Sequence, residues 1–350
     1  MLCRSRTDIR IVPFLVRQPP LDTQRERGMS HRILSLTGPL AVTALGTTAA
    51  LVVTAAAPVP AAEPAAPALH RTADARTTTT VRYGPFTLPA ASGDDHGETG
   101  NRLAFNIEKP CENCFITGFK PNLVYADGSN ANVNTGPMLH HAVLGTHAKS
   151  DVVCGGPQRK FASGNERVES VLPSGYGIKV RRGERWNMLY DLMNHAPERK
   201  SVYITFTFTH EPAPGSRLKP VTPIWMDAGG CLGSAYDAPD GVSEKVRRWR
   251  STISGRLVHM RGHVHHAGRS VRTENITTGK LLCNIMAEEG GSPEFIDLHG
   301  HTEISDMRPC SGDPLGTIER GDVLQISSRY ESAHSHDGVM GIMAGWVAED

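Results

Sequence analysis

Ser201-Val-Tyr-Ile-Thr-Phe-Thr-Phe-Thr209 alternates apolar and polar side chains without a break, with Val202, Ile204, Phe206 and Phe208 on one face. A period of two marks a half-buried antiparallel strand. On either side the chain reads as short β-like runs broken by Gly, Pro, Asn and Asp. They include Asn122-Leu-Val-Tyr125 before Asp127-Gly128, Met138 to Leu144, Gly255-Arg-Leu-Val-His-Met260, Val323-Leu-Gln-Ile-Ser-Ser328 and Met340 to Val347. Few helical periodicities compete. Many short strands at even spacing predict an all-β chain, built as two antiparallel β-sandwich (jelly-roll) domains in tandem. Pro and Gly concentrate at Glu211-Pro-Ala-Pro-Gly-Ser-Arg217 and from Lys219-Pro to Thr222-Pro. The join is therefore expected near Pro212, with a first domain over 81–213 and a second over 214–350.

Ahead of these runs, Met29 is followed by Arg32, an apolar stretch from Ile33 to Val53 and small residues at Pro60-Ala-Ala62. That is the layout of a secretory signal, so residues 1–62 are expected to be a leader that truly starts at Met29, and the mature protein to be secreted. An uncleaved anchor is the other reading, but Gly38-Pro39 interrupts the stretch and no later run reaches about 18 apolar residues; no membrane association is expected after cleavage. Residues 63–80 are Ala/Pro/Thr-rich and read as a disordered tether. The whole chain has a formal charge of +1; without the leader's 7 basic and 3 acidic residues, 30 basic stand against 33 acidic. Neither balance suits nucleic acid or an anionic membrane as partner.

Once Cys3 leaves with the leader, six cysteines remain, and an even number in an exported chain reads as disulfides. Three (Cys111, Cys114, Cys154) precede the join and three (Cys231, Cys283, Cys310) follow it, so complete pairing forces a bridge across it. Cys283 with Cys310 is expected, since they flank one strand-loop-strand segment, and Cys231 is expected to reach back to the first half. No second Cys-x-x-Cys supports a zinc reading of Cys111-Glu-Asn-Cys114, which is taken as a structural disulfide.

Histidine carries the chemistry. Eight of the 16 histidines lie between His259 and His336. In Arg261-Gly-His-Val-His-His-Ala-Gly268 a strand would put His263 and His265 on one face and His266 on the other. Imidazole suits several transition metals, and the soft thioether of Met340, in Val339-Met-Gly-Ile-Met343, shifts the choice towards copper; Met343 is read as core. In Met138-Leu-His-His-Ala-Val-Leu144, the adjacent His140 and His141 can meet one metal only at a bulge or bend. The pairs His299/His301 and His334/His336 have the plainer reading of solvated or hydrogen-bonded side chains. A hydrolytic zinc or cupin-like site is disfavoured, because no acidic ligand follows at Ala267 or Gly268 and the chain has neither His-Glu-x-x-His nor Gly-x-Ser-x-Gly.

In this order, adjacent His-His, then His-x-His-His, then a late methionine preceded by Gly321-Asp-Val-Leu324, the chain resembles the copper type II, ascorbate-dependent monooxygenases. These are the peptidylglycine α-hydroxylating and dopamine β-monooxygenases, and the resemblance runs over roughly residues 100–350. The wording of Pro110 to Leu144 looks closer still to secreted microbial and stress-up-regulated nodulin-like proteins on the same scaffold. The resemblance implies one copper held by His263, His265 and Met340 and another by His140 and His141. It also implies O₂, ascorbate or a similar reductant, and hydroxylation of an activated C–H bond of a small-molecule or peptide substrate. The family's third histidine of the first site falls at Asn194, with His195 one residue later, and a one-residue slip turns a strand side chain to the other face. His195, His301 and His334 are therefore weaker candidate ligands. A non-catalytic extracellular copper-binding or sequestering protein is the alternative, distinguished by whether O₂ is consumed when reductant and an organic substrate are supplied.

Overall fold

A computed structural model describes residues 76–92 and 96–350; the expected leader over 1–62, with its start at Met29, lies outside the described residues. The chain is all-β. In the first half the strands are β1 (Thr77–Leu88), β2 (Arg102–Ile107), β3 (Cys114–Val124), β4 (Pro137–Ser150), β5 (Pro157–Ser163), β6 (Ser170–Val171), β7 (Tyr176–Val180), β8 (Trp186–Asn194), β9 (Lys200–Pro212) and β10 (Lys219–Pro220). The second half has β11 (Thr222–Asp227), β12 (Tyr236–Ala238), β13 (Gly241–Arg250), β14 (Gly255–Val264), β15 (Gly268–Asn275), β16 (Lys280–Met286), β17 (Glu288–Glu289), β18 (Ile304–Asp306), β19 (Cys310–Ile318), β20 (Val323–Ser332), β21 (His336–Val339) and β22 (Gly341–Glu349). No helix of the described residues is long and apolar enough to cross a membrane.

The first half forms two sheets, one ordered β1-β9-β3-β7-β10 with β6 on β3, the other β2-β8-β4-β5. The second half forms β11-β22-β14-β19 and β13-β20-β15-β16, with small ribbons β12-β21 and β17-β18. Neighbours are antiparallel, except that β10 lies parallel to β7. In β9, Val202, Ile204, Phe206 and Phe208 are all fully buried, as their alternation predicts. They join Phe119, Phe161 and Trp186 in the first core.

The two halves share a layer, which separates this fold from two independent jelly rolls. Along β22, Ile342, Ala344 and Trp346 enter the first core while Met343 and Val347 enter the second. In β11, Trp225 joins the first core and its neighbours Ile224 and Met226 the second. Strands buried on both faces read as near-continuous apolar runs, which is how Met340 to Val347 reads. The strands change sides at Val221, between β10 and β11.

The cysteines pair as Cys111–Cys114, Cys154–Cys231 and Cys283–Cys310, the second crossing the join. The expected tether over 63–80 is corrected where it is described. Thr77 to Thr80 begin β1 and pair with Thr207 to His210 of β9. Four β-branched residues in a row suit a strand that has a partner, and composition alone cannot show the partner.

Candidate metal centre

His140 and His141 meet one place because β4 is irregular there. Its register against β8 slips between Leu139, opposite Leu192, and His141, opposite Asp191, leaving His140 as the extra residue of a bulge. A bulge re-aims a side chain, so two neighbours turn towards one side. On β14, the chain leaves the sheet at Val264 and turns, with Gly268 N–H donating to His265 O at 2.9 Å and Ala267 at φ 65°. His266 points elsewhere, its Nδ1 at 2.9 Å from Thr302 O.

These two segments converge. Ring centroids of His140 and His141 are 5.2 Å apart, those of His263 and His265 5.2 Å, and those of His140 and His265 4.5 Å. The resemblance implied two centres, one in each half. In the structure the two histidine pairs lie beside each other across the join, with His140 against His265.

Each ring is held from behind. Asp191 Oδ2 lies 3.3 Å from His140 Nδ1, and Glu166 Oε2 3.2 Å from His263 Nδ1. His141 Nε2–H donates to Asn101 Oδ1 at 2.9 Å. The His265 backbone N–H donates to the Tyr330 hydroxyl at 2.8 Å, and that hydroxyl donates to Met340 O. What remains inside is His141 Nδ1, His263 Nε2 and His265 Nε2, all buried and without a hydrogen-bond partner. Buried polar atoms are normally satisfied, and orphaned imidazole nitrogens on three neighbouring rings are suited to a metal ion; the nitrogens of His195 and His259 are orphaned too, but those rings stand apart from the four. Carboxylates on the outer nitrogens are the usual support of metal-binding histidine. Among the described residues, the group whose ligand atoms all lie within 4.8 Å of one another is His140, His141 and Asp191; His263 and His265 stand beside it.

At His141 and His265 the electrostatics favour the neutral ring, the form that binds metal. Burial, with His140 and His263 adding, pushes His141 down to about 3. Burial followed by the other three rings holds His265 well below the usual histidine range. Burial alone would raise Glu166; His263, Arg261 and the Gly164 N–H overcome it and bring the carboxyl down to about 2. Glu166 also binds Arg261 of β14 at 3.5 Å, so a first-half carboxylate holds two second-half side chains in place. Gly164 is required beside it, since a Cβ there would collide with the His263 ring.

Met340 stands between β21 and β22, half-buried, on the wall of a cavity that also includes His141. Met343 lies fully buried in the second core. Three weaker candidates lie outside the cluster. Asn194 is consumed at the end of β8, its amide donating to the carbonyls of Pro89 (2.7 Å) and Glu198 (2.8 Å). His195 turns to Asp297, whose Oδ2 is 3.3 Å from its Nδ1 without hydrogen-bond geometry, and packs on His96. His301 sits on the same carboxylate at 3.2 Å, and His334 is exposed. The one-residue slip is the reason for His195, and Asp191, three residues before Asn194 on β8, is the residue that faces the cluster. Asn101, Glu166 and Tyr330 went unread, as nothing local to them signals a metal.

Residues 223–350 match the family described as Stress up-regulated Nod 19. That segment contains His263, His265 and Met340. The chain is 27% identical over 290 residues to "Probable copper-dependent oxygenase M1" of a Phoma species, covering 77% of this chain and 72% of that protein. It is 26% identical over 249 residues to "Probable copper-dependent oxygenase clz3" of Cochliobolus lunatus, covering 65% and 77%. Among solved structures, a peptide-N(4)-(N-acetyl-β-D-glucosaminyl) asparagine amidase aligns with a TM-score of 0.40 at 10% identity, covering 78% of this chain and 97% of that one.

Proposed function

We propose that this chain is a secreted copper-dependent oxygenase, related to the copper type II monooxygenases, whose metal is held by His140, His141, His263 and His265 in one centre shared between the halves. The observation that carries this reading is the convergence of four histidines with three orphaned inward nitrogens. The names of the two relatives support copper rather than zinc. Three cysteine pairs are consistent with an extracellular protein.

Copper, when bound, supplies one-electron and O₂ chemistry, with ascorbate or a similar small reductant as cosubstrate. The chain's own residues prepare the site. Asp191 and Glu166 fix the protons of His140 and His263 on the outer Nδ1 atoms, so that the Nε2 lone pairs face inward. Asn101 does the reverse for His141, keeping its proton on Nε2 and freeing Nδ1. Tyr330 clamps the His265 backbone to Met340 O, holding β14 and the segment before β22 in fixed relation. Met340, in this reading, offers its thioether from the cavity side. A cavity of about 740 Å³ reaching His141 and Met340 favours an enzyme over a protein that only sequesters metal.

The test is metal analysis of the full chain, with electron paramagnetic resonance and O₂ uptake. Copper should load, and ascorbate-dependent O₂ uptake should require an organic substrate. His265→Ala should abolish both. Two magnetically independent Cu(II) centres, or a His265→Ala protein that keeps its copper, would overturn the shared centre.

A further inference from the structure

The outward face of an antiparallel sheet is ordinarily polar. On β2-β8-β4 it is not. Alternate residues of three adjacent strands, Leu103 and Phe105 on β2, Leu189 on β8 and Val143 on β4, line the 740 Å³ cavity. The same alternation brings His141, two residues before Val143, to that face. Trp225, Met340 and Ile342 of the second half close the opposite wall. At the mouth, Leu103 is 60% exposed, Phe105 63% and Leu232 106%. Large apolar side chains left in water together, around a concavity that leads to a polar cluster, mark a binding surface.

Charge narrows the ligand. Among the described residues lining the cavity, histidines aside, only Arg159 is ionic. Its Nε is bound to Asp151 Oδ2 at 2.8 Å, and its guanidinium lies 4.7 Å from the centre of the Trp225 ring. A carboxylate entering the cavity would find this cation's charge already balanced by Asp151, and the guanidinium nitrogen that lacks a partner, Nη2, is buried away from solvent, so a charged ligand would lose hydration with little compensation. The oxygens of the lining amides are also engaged: Asn101 Oδ1 accepts from His141, and Asn187 Oδ1 accepts from the Asn106 N–H.

We infer that this cavity is the substrate pocket and takes an uncharged, hydrocarbon-rich small molecule, lying along Leu103, Phe105, Val143 and Leu189 with one end at His141 and Met340. Calling the ligand a substrate rests on the oxygenase reading above; the binding itself does not. The size falls within the range of ordinary small-molecule pockets, so a single extended or polycyclic molecule fills it.

The probe pair is 4-octylphenol and 4-octylbenzoate, which match in shape and differ in charge, with an N-acetyl dipeptide as the third ligand. Binding to the metal-free full chain is read by calorimetry and tryptophan fluorescence. The phenol should bind at least ten-fold more tightly than the benzoate, and the dipeptide should not bind measurably. Leu103→Asp and Phe105→Asp, at exposed positions that the fold does not depend on, should each weaken the phenol at least ten-fold. Val242→Asp, an equally exposed apolar residue on β13, should change nothing. Equal or tighter binding of the benzoate or dipeptide, or a phenol affinity that ignores Leu103 and Phe105, would overturn the inference. With copper loaded, Cu(II) should broaden the proton signals of the bound phenol; a bound but unbroadened phenol would make the cavity something other than the substrate pocket. A protein that binds the phenol but no copper would sink the oxygenase reading and leave the ligand class standing. One that binds copper but no phenol would do the opposite.

Discussion

His140 and His263 each depend on a carboxylate that is remote in the chain. The hydrogen bond from His140 spans 51 residues to Asp191, and that from His263 spans 97 to Glu166. Replacing a supporting carboxylate typically costs 10–100-fold in metal affinity. Asp191→Asn should therefore weaken copper by that order while leaving the circular dichroism spectrum unchanged, as measured by competition with a copper chelator of known affinity. Tyr330→Phe tests another support. It leaves the buried His265 N–H and Met340 carbonyl without their shared partner, at a cost of about 1–3 kcal/mol in urea unfolding. The histidines were legible because their residue type and spacing advertise a metal. Asp191, Glu166 and Tyr330 were not, since ordinary acids and tyrosines become supports only through contacts that folding makes.

Strand identity was the most readable property of the chain, and pairing the least. The alternation in β9 and the apolar run of β22 each have a local period that dictates their burial. The bulge at His140 was legible only as a condition, that two neighbouring histidines need one, because a register slip belongs to two strands at once. The tether misled for the same reason: Thr77 to Thr80 become a strand only against β9. The short ribbon β17-β18 and the loop between its strands carry a pH response. Burial, with Asp297 and Glu289 adding, raises the half-buried Glu303 from 4.5 to about 7. Between those values the folded chain keeps a proton that the unfolded chain gives up, so stability from this group is greatest below 4.5 and is lost as pH rises towards 7. Glu303→Gln mimics the protonated form. Its melting temperature should decline less than the parent's between pH 4.5 and pH 8, the upper limit lying about one unit above the folded value. Parallel curves for the two proteins would refute the assignment.

The sheet β11-β22-β14-β19 makes one body of two halves that the sequence divides at Pro212 to Thr222. A sequence shows where strands thin out, but it does not show that the next sheet will be buried on both faces. Cys154–Cys231 ties the halves over a separation of 77 residues. Cross-links over loops of that length contribute about 2–4 kcal/mol, so Cys154→Ser with Cys231→Ser should lose about that much in guanidinium unfolding. The loss should leave one cooperative transition, because the shared layer still couples the two cores. Separate transitions for the two halves would show that the bridge, and not the layer, holds them together.

That layer also sets an order of events during biosynthesis. His263 sits opposite Ile342 in the ladder between β14 and β22, so its neighbour strand is translated after all four histidines. His140 waits on the same strand, since the ring it meets belongs to His265. A nascent chain with all four histidines already emerged still lacks the partner that fixes two of them. If these four rings hold a metal, its capture in this geometry follows synthesis of Gly341–Glu349, and a product that stops before Gly341 should carry all four histidines without assembling the site.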